Sequence, residues 1–437
     1  MRTLILIGLL LSPAGLHAHI SGTEQKEEQP EKNKSKHGFR VQFKNNPSLR
    51  FDKLLQVDLK SKWQVDFRNF HPSIASPPPD DDRVQLTRAR FALKGKVTKY
   101  FEFETERELR GTFGERHPRH PWRDVYIDFG PARFLQVKVG KFKVPFGREQ
   151  LTPADKLDFI ERSPGTEVLT PGRDKGVMLH GKFLKDSRLD YQFGVFRNDG
   201  ENADIEGLPS SQRTYAARIS GTPFRLIPQL PATIRTVQWG IAATSGEMFE
   251  GLNNLHAPAF SKVTHLPRVY VKGRRQRLGV EALWSDGPFS VTSEYIYVSE
   301  QRTQQSVRAQ DLPDLISDGG YVTAAWTALG KMKDKGGPPR NPFLTGNGFG
   351  AVELAVRFDV LRYRSDTHTG SASRSPRAPN VLPNICRAWT FGPTWYLNKF
   401  VKIQANAERQ RIEDIELGRV SGRNLFWSGI VRLQFAM

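Results

Sequence analysis

The sequence between positions 55 and 68 alternates between apolar and polar side chains, with one interruption at Ser61. The polar positions are occupied by Gln, Asp, Lys and Arg. Side chains of a β-strand point alternately to its two faces, so a period of two over this length predicts a strand with one apolar and one wholly polar face. The apolar positions are Leu55, Val57, Leu59, Trp63, Val65 and Phe67.

The same alternation recurs along most of the chain. Segments of about ten residues are separated by Gly, Pro, Asn and Asp turn signals, a pattern typical of an outer-membrane β-barrel. With the weaker segments included, we predict about sixteen antiparallel strands joined by short turns and long loops. Further apolar sets begin at Thr87, Phe101, Val125, Leu135, Val177, Tyr191, Tyr215, Val237, Leu278, Val352, Trp389, Val401 and Leu425.

A soluble β-sandwich or β-helix would show alternating strands as well. Its apolar face would be buried in a protein core and its polar face would meet bulk water. Aromatic residues near strand ends favour the barrel instead, because aromatic girdles mark both membrane interfaces of a transmembrane barrel. We therefore predict an all-β fold, a transmembrane antiparallel β-barrel. These aromatic residues are Trp63, Phe67, Trp122, Trp389, Trp395 and Trp427.

The first eighteen residues have the pattern of a secretory signal peptide. Arg2 precedes an apolar stretch from Leu4 to Leu11, and a small residue, Ala18, follows at the expected cleavage position. Residues 19–38 are polar and carry mixed charges, so we predict a flexible N-terminal arm. Residues 39–437 then form one β-barrel domain, because no linker separates two compositionally different halves.

The chain of 437 residues has 65 Lys and Arg against 46 Asp and Glu, a formal net charge of +19 and a mean hydropathy of −0.51. Beyond the N-terminus no apolar run is long enough for a spanning helix. The single cysteine, Cys386, excludes a disulfide scaffold. Excess positive charge predicts anionic partners, and export excludes nucleic acid as the ordinary one.

Short blocks of sequence follow one another in the order found in a known family. They are 87–96 (TRARFALKGK), 123–127 (RDVYI), 139–147 (VGKFKVPFG), 159–163 (FIERS), 171–177 (PGRDKGV), 194–200 (GVFRNDG), 320–326 (GYVTAAW), 352–357 (VELAVR) and 394–398 (TWYLN). Together they are spread over nearly the whole chain beyond the signal peptide. By these blocks the chain resembles the phosphate-selective porins O and P.

The resemblance implies a homotrimer of sixteen-stranded outer-membrane barrels. Each barrel would have its own pore, lined by Arg and Lys and narrowed by a loop that folds inward. On this sequence the constriction loop would follow Gly147 and run to about Gly172. The resemblance also implies that Arg88 lines the pore, that Asp124 lies near a phosphate site, and that Lys138 lies toward the periplasmic side.

This chain departs from the pattern of the family's phosphate porins at several positions. Gln150 and Asp155 stand where those porins carry lysines on the constriction loop. Thr87 precedes Arg88 where the family has paired arginines, and Glu102 stands where a lysine is expected. These changes concern the choice of anion rather than the fold.

The residues themselves also predict an anion pathway. Arg88, Arg90 and Lys138 lie on polar strand faces, and rings of basic side chains in a narrow pore concentrate anions. The polar face of 101–108 carries four glutamates, which we expect to pair with Arg88 and Arg90 on the preceding strand. Further candidates in or beside the constriction are Arg148, Arg162, Arg173 and Lys175.

We therefore predict a passive, water-filled porin of a Gram-negative outer membrane that prefers anions and passes phosphate or other small anionic solutes. Two alternatives remain open: a porin for saccharides or other organic solutes, and a secreted soluble β-protein that binds acidic polysaccharide. The sequence has no nucleophile elbow, zinc-protease histidine pair or P-loop, so it predicts no cofactor, metal or enzymatic activity. The predicted partners are small anionic solutes, outer-membrane lipid and further copies of the chain.

Overall fold

A computed structural model describes residues 38–437 except 44–45, 53, 72–83, 114–119, 185–188, 204–210, 256–265, 267, 368–369 and 418–421. The predicted signal peptide, and all of the predicted N-terminal arm except residue 38, lie outside the described residues. Residues from Phe39 to Met437 form one compact unit.

Within the described residues, eighteen strands form a single sheet in which paired strands run antiparallel. The first two strands form a hairpin. The remaining sixteen close into a barrel, because the last strand pairs with the third. The strands are β1 (Phe39–Phe43), β2 (Pro47–Phe51), β3 (Leu55–His71), β4 (Val84–Val97), β5 (Phe101–Glu108), β6 (Trp122–Ala132), β7 (Leu135–Lys143), β8 (Arg173–Phe183), β9 (Leu189–Phe196), β10 (Ser211–Gly221), β11 (Gln238–Leu252), β12 (Tyr270–Asp286), β13 (Phe289–Arg302), β14 (Leu312–Leu329), β15 (Ala351–Ser365), β16 (Asn384–Tyr396), β17 (Val401–Ile412) and β18 (Leu425–Ala436).

The prediction of a sixteen-stranded antiparallel barrel is confirmed. The closing seam pairs Val65 with Leu433 and Phe67 with Val431, so apolar side chains of both strands continue one surface across the seam. An open sheet would leave backbone N–H and C=O groups without hydrogen-bond partners at its two edges, and lipid cannot supply such partners. Closure of the barrel pairs these groups with each other.

Exposure of the two strand faces is the reverse of that in a soluble protein. Apolar side chains on the outer face are exposed; Ile127 is 58% and Leu433 is 48% exposed. Polar and charged side chains on the inner face are buried, and Gln64 and Arg275 have no exposed surface. A soluble β-sandwich would bury the first set and expose the second. This distribution contradicts the soluble alternative, because lipid is the solvent that such an outer surface requires.

The two ends of the barrel differ in the length of their connections. At one end, which we call the turn end, five connections have two to five residues, for example 133–134 between β6 and β7. All the connections at the other end, the loop end, are longer. Outer-membrane barrels have short periplasmic turns and long extracellular loops, so the loop end faces outside.

The described parts of the connections contain three short α-helices, namely α1 (Arg148–Leu151), α2 (Pro164–Leu169) and α3 (Ala232–Arg235). Among the described residues, no helix is long and apolar enough to cross a membrane. The first two helices lie in the connection between β7 and β8, which covers residues 144–172 and is the predicted constriction loop.

Candidate channel constriction

The constriction loop, residues 144–172, lies inside the barrel. An apolar cluster fixes its two ends: Phe146 and Leu169 are fully buried with inward-facing side chains of the wall such as Ile296 and Leu361. Helix α2 packs on β13, β14 and β15. The inward fold of this loop, predicted from the family resemblance, is therefore confirmed, and apolar burial holds it against one half of the barrel wall.

Backbone carbonyls in the middle of the loop accept hydrogen bonds from the wall. Arg432 donates to the carbonyl oxygen of Ile160 over 3.0 Å, and Arg357 donates to that of Glu161 over 3.0 Å. Lys402 reaches the carbonyl oxygen of Leu157 over 3.1 Å. A buried carbonyl without a donor is costly, so these basic side chains serve to anchor the loop.

A second segment at the loop end folds inward beside the constriction loop. The buried carboxylate of Asp199, which follows β9, accepts hydrogen bonds from Arg277 at 2.6 Å on each oxygen and from Arg275 at 2.5 Å. Arg277 also donates to the carbonyl oxygen of Leu169 over 2.8 Å. Strand β12 therefore holds both inward segments through one buried network.

A water-accessible cavity of about 1540 Å³ remains between the constriction loop and the inner face of β3 to β8. Its lining has fifteen Lys and Arg against seven Asp and Glu. The ratio of basic to acidic side chains is therefore higher in the cavity lining than in the whole chain. The basic lining residues are Lys60, Lys62, Arg88, Arg90, Lys94, Arg110, Arg123, Lys138, Lys143, Lys156, Arg162, Arg173, Lys333, Arg340 and Lys399.

One connection at the turn end also reaches the cavity. Residues 330–350, between β14 and β15, contribute Lys333 and Arg340 to the lining. Lys335 forms an ion pair with Asp158 of the constriction loop at 2.9 Å and donates to Ser290 over 2.6 Å. The constriction therefore receives side chains from both ends of the barrel.

A β-bulge in β4 turns two consecutive side chains toward the channel. The register with β3 shifts between Gln64 and Val65, so Thr87 has no direct partner there. Both Thr87 and Arg88 line the cavity, which regular alternation would forbid. The Arg88 guanidinium donates to Oε1 of Gln64.

The four glutamates of β5 form a ladder of ion pairs with the neighbouring strands. Arg90 contacts Glu108 at 2.7 Å and Glu106 at 3.5 Å, as predicted. Lys94 contacts Glu104 at 3.6 Å, and Lys96 pairs with Glu102. Arg88 lies opposite Gln64 of β3 and donates to its side-chain amide oxygen, so pairing of Arg88 with these glutamates stays a prediction.

The structure brings together six of the eight predicted site residues, which are Arg88, Arg90, Asp124, Lys138, Arg162 and Arg173. Arg173 donates to Asp124 over 2.7 and 3.1 Å. Arg148 and Lys175 are not among the lining residues. Arg148 donates to Gln238 over 3.2 Å, and Lys175 is exposed next to the outward-facing Val177.

Lys143 lines the cavity although alternation does not indicate it. It has the same parity as Val139, which faces outward. Because Lys143 is the last residue of β7, the chain turns there, and its ammonium group donates to the carbonyl oxygens of Gln150, Leu151 and Thr152 over 2.6, 3.1 and 3.2 Å. The only signal in the sequence for this role was the position of Lys143 at the end of a strand, just before the constriction loop.

Arg162 also binds neutral partners. Its Nε donates to the carbonyl oxygen of Glu149 over 3.1 Å, and Nη2 donates to that of Thr152 over 3.2 Å. No described carboxylate forms an ion pair with Lys143 or Arg162. An arginine guanidinium stays protonated in proteins, so Arg162 brings to the channel lining a positive charge that no described carboxylate offsets.

Two acidic side chains of the constriction loop have opposite pKa shifts. Burial alone would raise the pKa of Asp155, but the Lys62 ammonium at 2.5 Å outweighs it and holds this pKa below the usual value. Burial, together with the nearby Glu161 carboxylate, raises the pKa of Glu167 well above its usual value. Asp155 is therefore ionised and neutralised by Lys62, whereas Glu167 favours its uncharged form.

Among the described residues, no group of three or more His, Cys, Asp or Glu side chains could hold a metal ion. One acid–histidine pair is Asp128 and His180, whose carboxylate and Nε2 lie 3.0 Å apart. The same carboxylate lies 3.3 Å from the Lys138 ammonium. The neighbours of this carboxylate are thus a histidine and a lysine rather than further acidic ligands.

Comparison with known proteins gives three kinds of match. The family model described as phosphate-selective porin O and P matches residues 57–421. Porin O of Pseudomonas aeruginosa strain PAO1 is 23% identical over 397 residues, which cover 83% of this chain and 85% of that protein. Outer-membrane expressed OmpT of Vibrio cholerae has a TM-score of 0.54 at 9% identity, over 89% of this chain and 100% of that chain.

The outer-membrane channel DcaP of Acinetobacter baumannii also has a TM-score of 0.54, at 8% identity, over 88% of this chain and 98% of that chain. At such low identities the two structures bear on the fold alone. The family match spans residues 57–421, which is most of the chain. The chain therefore belongs to the phosphate-selective porin O and P family, and it is a porin of the Gram-negative outer membrane.

Proposed function

We propose that this porin forms a water-filled channel that prefers anions and lets phosphate or other small anionic solutes diffuse through it. The observation that carries the proposal is Arg162, whose guanidinium lines the cavity and, among the described residues, binds only the backbone carbonyls of Glu149 and Thr152. A cation bound to a neutral partner keeps its field. In a narrow, partly desolvated passage that field attracts anions and repels cations.

The paired charges of the channel support the same proposal. The glutamates of β5 each have a basic neighbour, and Asp155 is matched by Lys62. Asp124 is matched by Arg173. Because these acids are neutralised locally, they oppose an entering anion less than their number suggests, and the remaining cations dominate.

The proposal covers small anions in general, with phosphate as one of them. Arginine can hold a phosphate through two parallel hydrogen bonds, and lysine offers a point charge. Arg88 provides such a group on the barrel wall, and Arg162 provides one on the constriction loop. Gln150 and Asp155 add no cation, so we expect phosphate to bind more weakly than in a pore with lysines at these positions.

Planar-bilayer recordings test the channel. In a potassium chloride gradient the reversal potential should show preference for chloride, and cation preference or no conductance would contradict the proposal. Titration with phosphate should reduce the chloride current if phosphate binds within the channel. Failure of phosphate to compete, together with a current reduced by a neutral saccharide, would favour the alternative of a porin for organic solutes.

We further infer that three copies assemble in the outer membrane and that the protein acts as a passive channel rather than as an enzyme. The family resemblance supports the trimer. The mass of the detergent-extracted protein, measured by native mass spectrometry, should equal three mature chains. We also keep the prediction that residues 1–18 are removed on export, for which N-terminal sequencing of that protein should give a start after Ala18.

A further inference from the structure

The outer face of the barrel carries a cluster of arginines near the loop end, on three adjacent strands. Side chains between them, such as Gln410 and Cys386, are buried on the inner face, so the arginines themselves face outward. We call this cluster the arginine belt. It consists of Arg362 and Arg364 on β15, Arg387 on β16, and Arg409 and Arg411 on β17.

The belt has more cations than acidic partners. Arg362 and Arg364 share the carboxylate of Asp318, each at 2.5 Å, and Arg387 pairs with Glu413 at 2.7 Å. Within the part of the chain that the structure describes, Arg409 and Arg411 have no ion pair. Arg387 and Arg411 are direct cross-strand partners, and Arg409 lies two residues before Arg411 on the same face, so three arginines occupy adjacent positions with one acidic partner, Glu413.

An apolar groove of about 830 Å³ lies on the outer face of the barrel. It lies next to Arg409, on the side of this residue that faces the middle of the membrane. Ala407, two residues before Arg409, faces both Phe391 and Gly429 in register. Two residues of a strand span about 6.6 Å, so the groove begins beside the belt. The residues that line this groove include Phe391, Gly392, Ala405, Ala407, Gly429 and Val431.

Small residues leave the groove open. A methyl group added at Gly429 would meet no atom within 4 Å. Trp389 and Trp427 are the cross-strand partners of Arg409, and both are exposed. Aromatic girdle residues of an outer-membrane barrel lie at the height of the lipid headgroups, so Arg409 lies at that height too. Cations at headgroup height above an apolar groove suit an amphipathic anion.

We propose that the arginine belt and this groove bind a phosphorylated, acylated glycolipid of the outer leaflet. Its phosphate would contact Arg387, Arg409 and Arg411, and one acyl chain would lie in the groove. Charge complementarity favours this occupant, because guanidinium binds phosphate bidentately and one such lipid supplies both the anion and the chain. The proposal concerns the outside of the barrel and does not rest on the selectivity of the channel.

The test uses the full protein extracted in detergent, with bisphosphorylated lipid A as the probe and the same lipid without its phosphates as comparison. Native mass spectrometry at several lipid concentrations gives the apparent affinity. The double variant R409Q/R411Q should bind phosphorylated lipid A at least tenfold more weakly. Gly429→Leu should also weaken binding, because it fills the groove without changing a charge. Arg274→Gln, on the outer face of β12, is the matched control and should bind as the unchanged protein does.

Single-channel conductance and heat-dependent migration in gels confirm that each variant is folded. The proposal is overturned if folded R409Q/R411Q binds like the unchanged protein, or if lipid A binds equally well without its phosphates. It is also overturned if millimolar inorganic phosphate displaces the lipid completely, since the site would then take a free anion. Loss of the trimer in lipid-free R409Q/R411Q or Gly429→Leu would instead assign this face to a contact between copies.

Discussion

Arg432 donates from Nε and Nη2 to the two carboxylate oxygens of Asp66 over 2.6 and 2.7 Å, and neither side chain has exposed surface. Asp66 lies on the first barrel strand, β3, and Arg432 on the last, β18. Arg432 also donates to the carbonyl oxygen of Ile160. One buried ion pair therefore links the closing seam of the barrel to the constriction loop.

Removal of one partner should destabilise the barrel. Arg432→Met takes away the bidentate partner of the buried Asp66 carboxylate and leaves Arg68, 3.7 Å away, as the nearest described cation. We expect a loss of about 3–5 kcal/mol in the free energy of unfolding. Urea unfolding in lipid vesicles measures it. The double variant D66L/R432M should recover most of the loss, because it leaves no unpaired charge. Equal stability of Arg432→Met and the unchanged protein would contradict the structural role of this pair.

Arg88→Gln should lower the preference of the channel for anions. A unit charge about 10 Å from the ion path contributes about 1 kcal/mol after partial screening, which is about fivefold in local anion concentration. The reversal potential in a salt gradient measures the change. Lys175→Gln removes the same charge from an exposed residue outside the cavity lining and should leave the reversal potential unchanged. A similar shift in both variants would show that overall charge, rather than position, sets the preference.

Asp155→Asn should strengthen anion preference. It leaves the Lys62 ammonium, now 2.5 Å from the Asp155 carboxylate, without its counter-charge at the cavity wall. Because Lys62 holds the pKa of Asp155 below its usual value, against the effect of burial, the carboxylate stays charged across the neutral range. The unchanged channel should therefore approach the selectivity of Asp155→Asn only in strongly acidic solution. The reversal potential is recorded at pH 7 and in acid for both proteins. Equal reversal potentials of the two proteins at both pH values would contradict this prediction.

The stability of the barrel should fall in acid partly through Asp199. Burial would raise the pKa of this carboxyl, but Arg277 and Arg275 lower it further than burial raises it. A folded pKa below the unfolded value stabilises the protein at pH values above the unfolded pKa, and this stability is lost as the pH falls through the folded pKa. Unfolding free energies measured across this acidic range should fall steeply.

Asp199→Asn should be less stable than the unchanged protein at neutral pH, because two buried arginines lose their shared counter-charge. Its stability should also depend less on pH in acid. Asp190→Asn, with a half-buried carboxyl that forms no described ion pair, is the comparison. An unchanged slope in Asp199→Asn would assign the acid sensitivity to other groups.

The local pattern of side chains was enough to predict the strands and the two faces of the barrel. Alternation is a consequence of backbone geometry, so Val65 and Asp66 must point to opposite faces wherever the strand lies. An apolar face repeated over sixteen strands needs lipid on one side, and the polar face needs water and counter-charges on the other. The fold and the membrane location follow from these two requirements.

The roles of individual basic residues depended on the tertiary structure. Arg88 and Arg432 both lie on polar strand faces, yet the first lines the channel and the second anchors the constriction loop. Lys143 enters the channel because the strand ends there, whereas Lys175 stays outside. The difference arises from where the constriction loop packs, since carbonyls in its middle take donors from β15, β17 and β18, and the inner face of β3 to β8 stays open to water. Alternation is local and can be read from neighbouring residues, but the partner of a buried charge is set by contacts between segments hundreds of residues apart, such as Asp66 and Arg432.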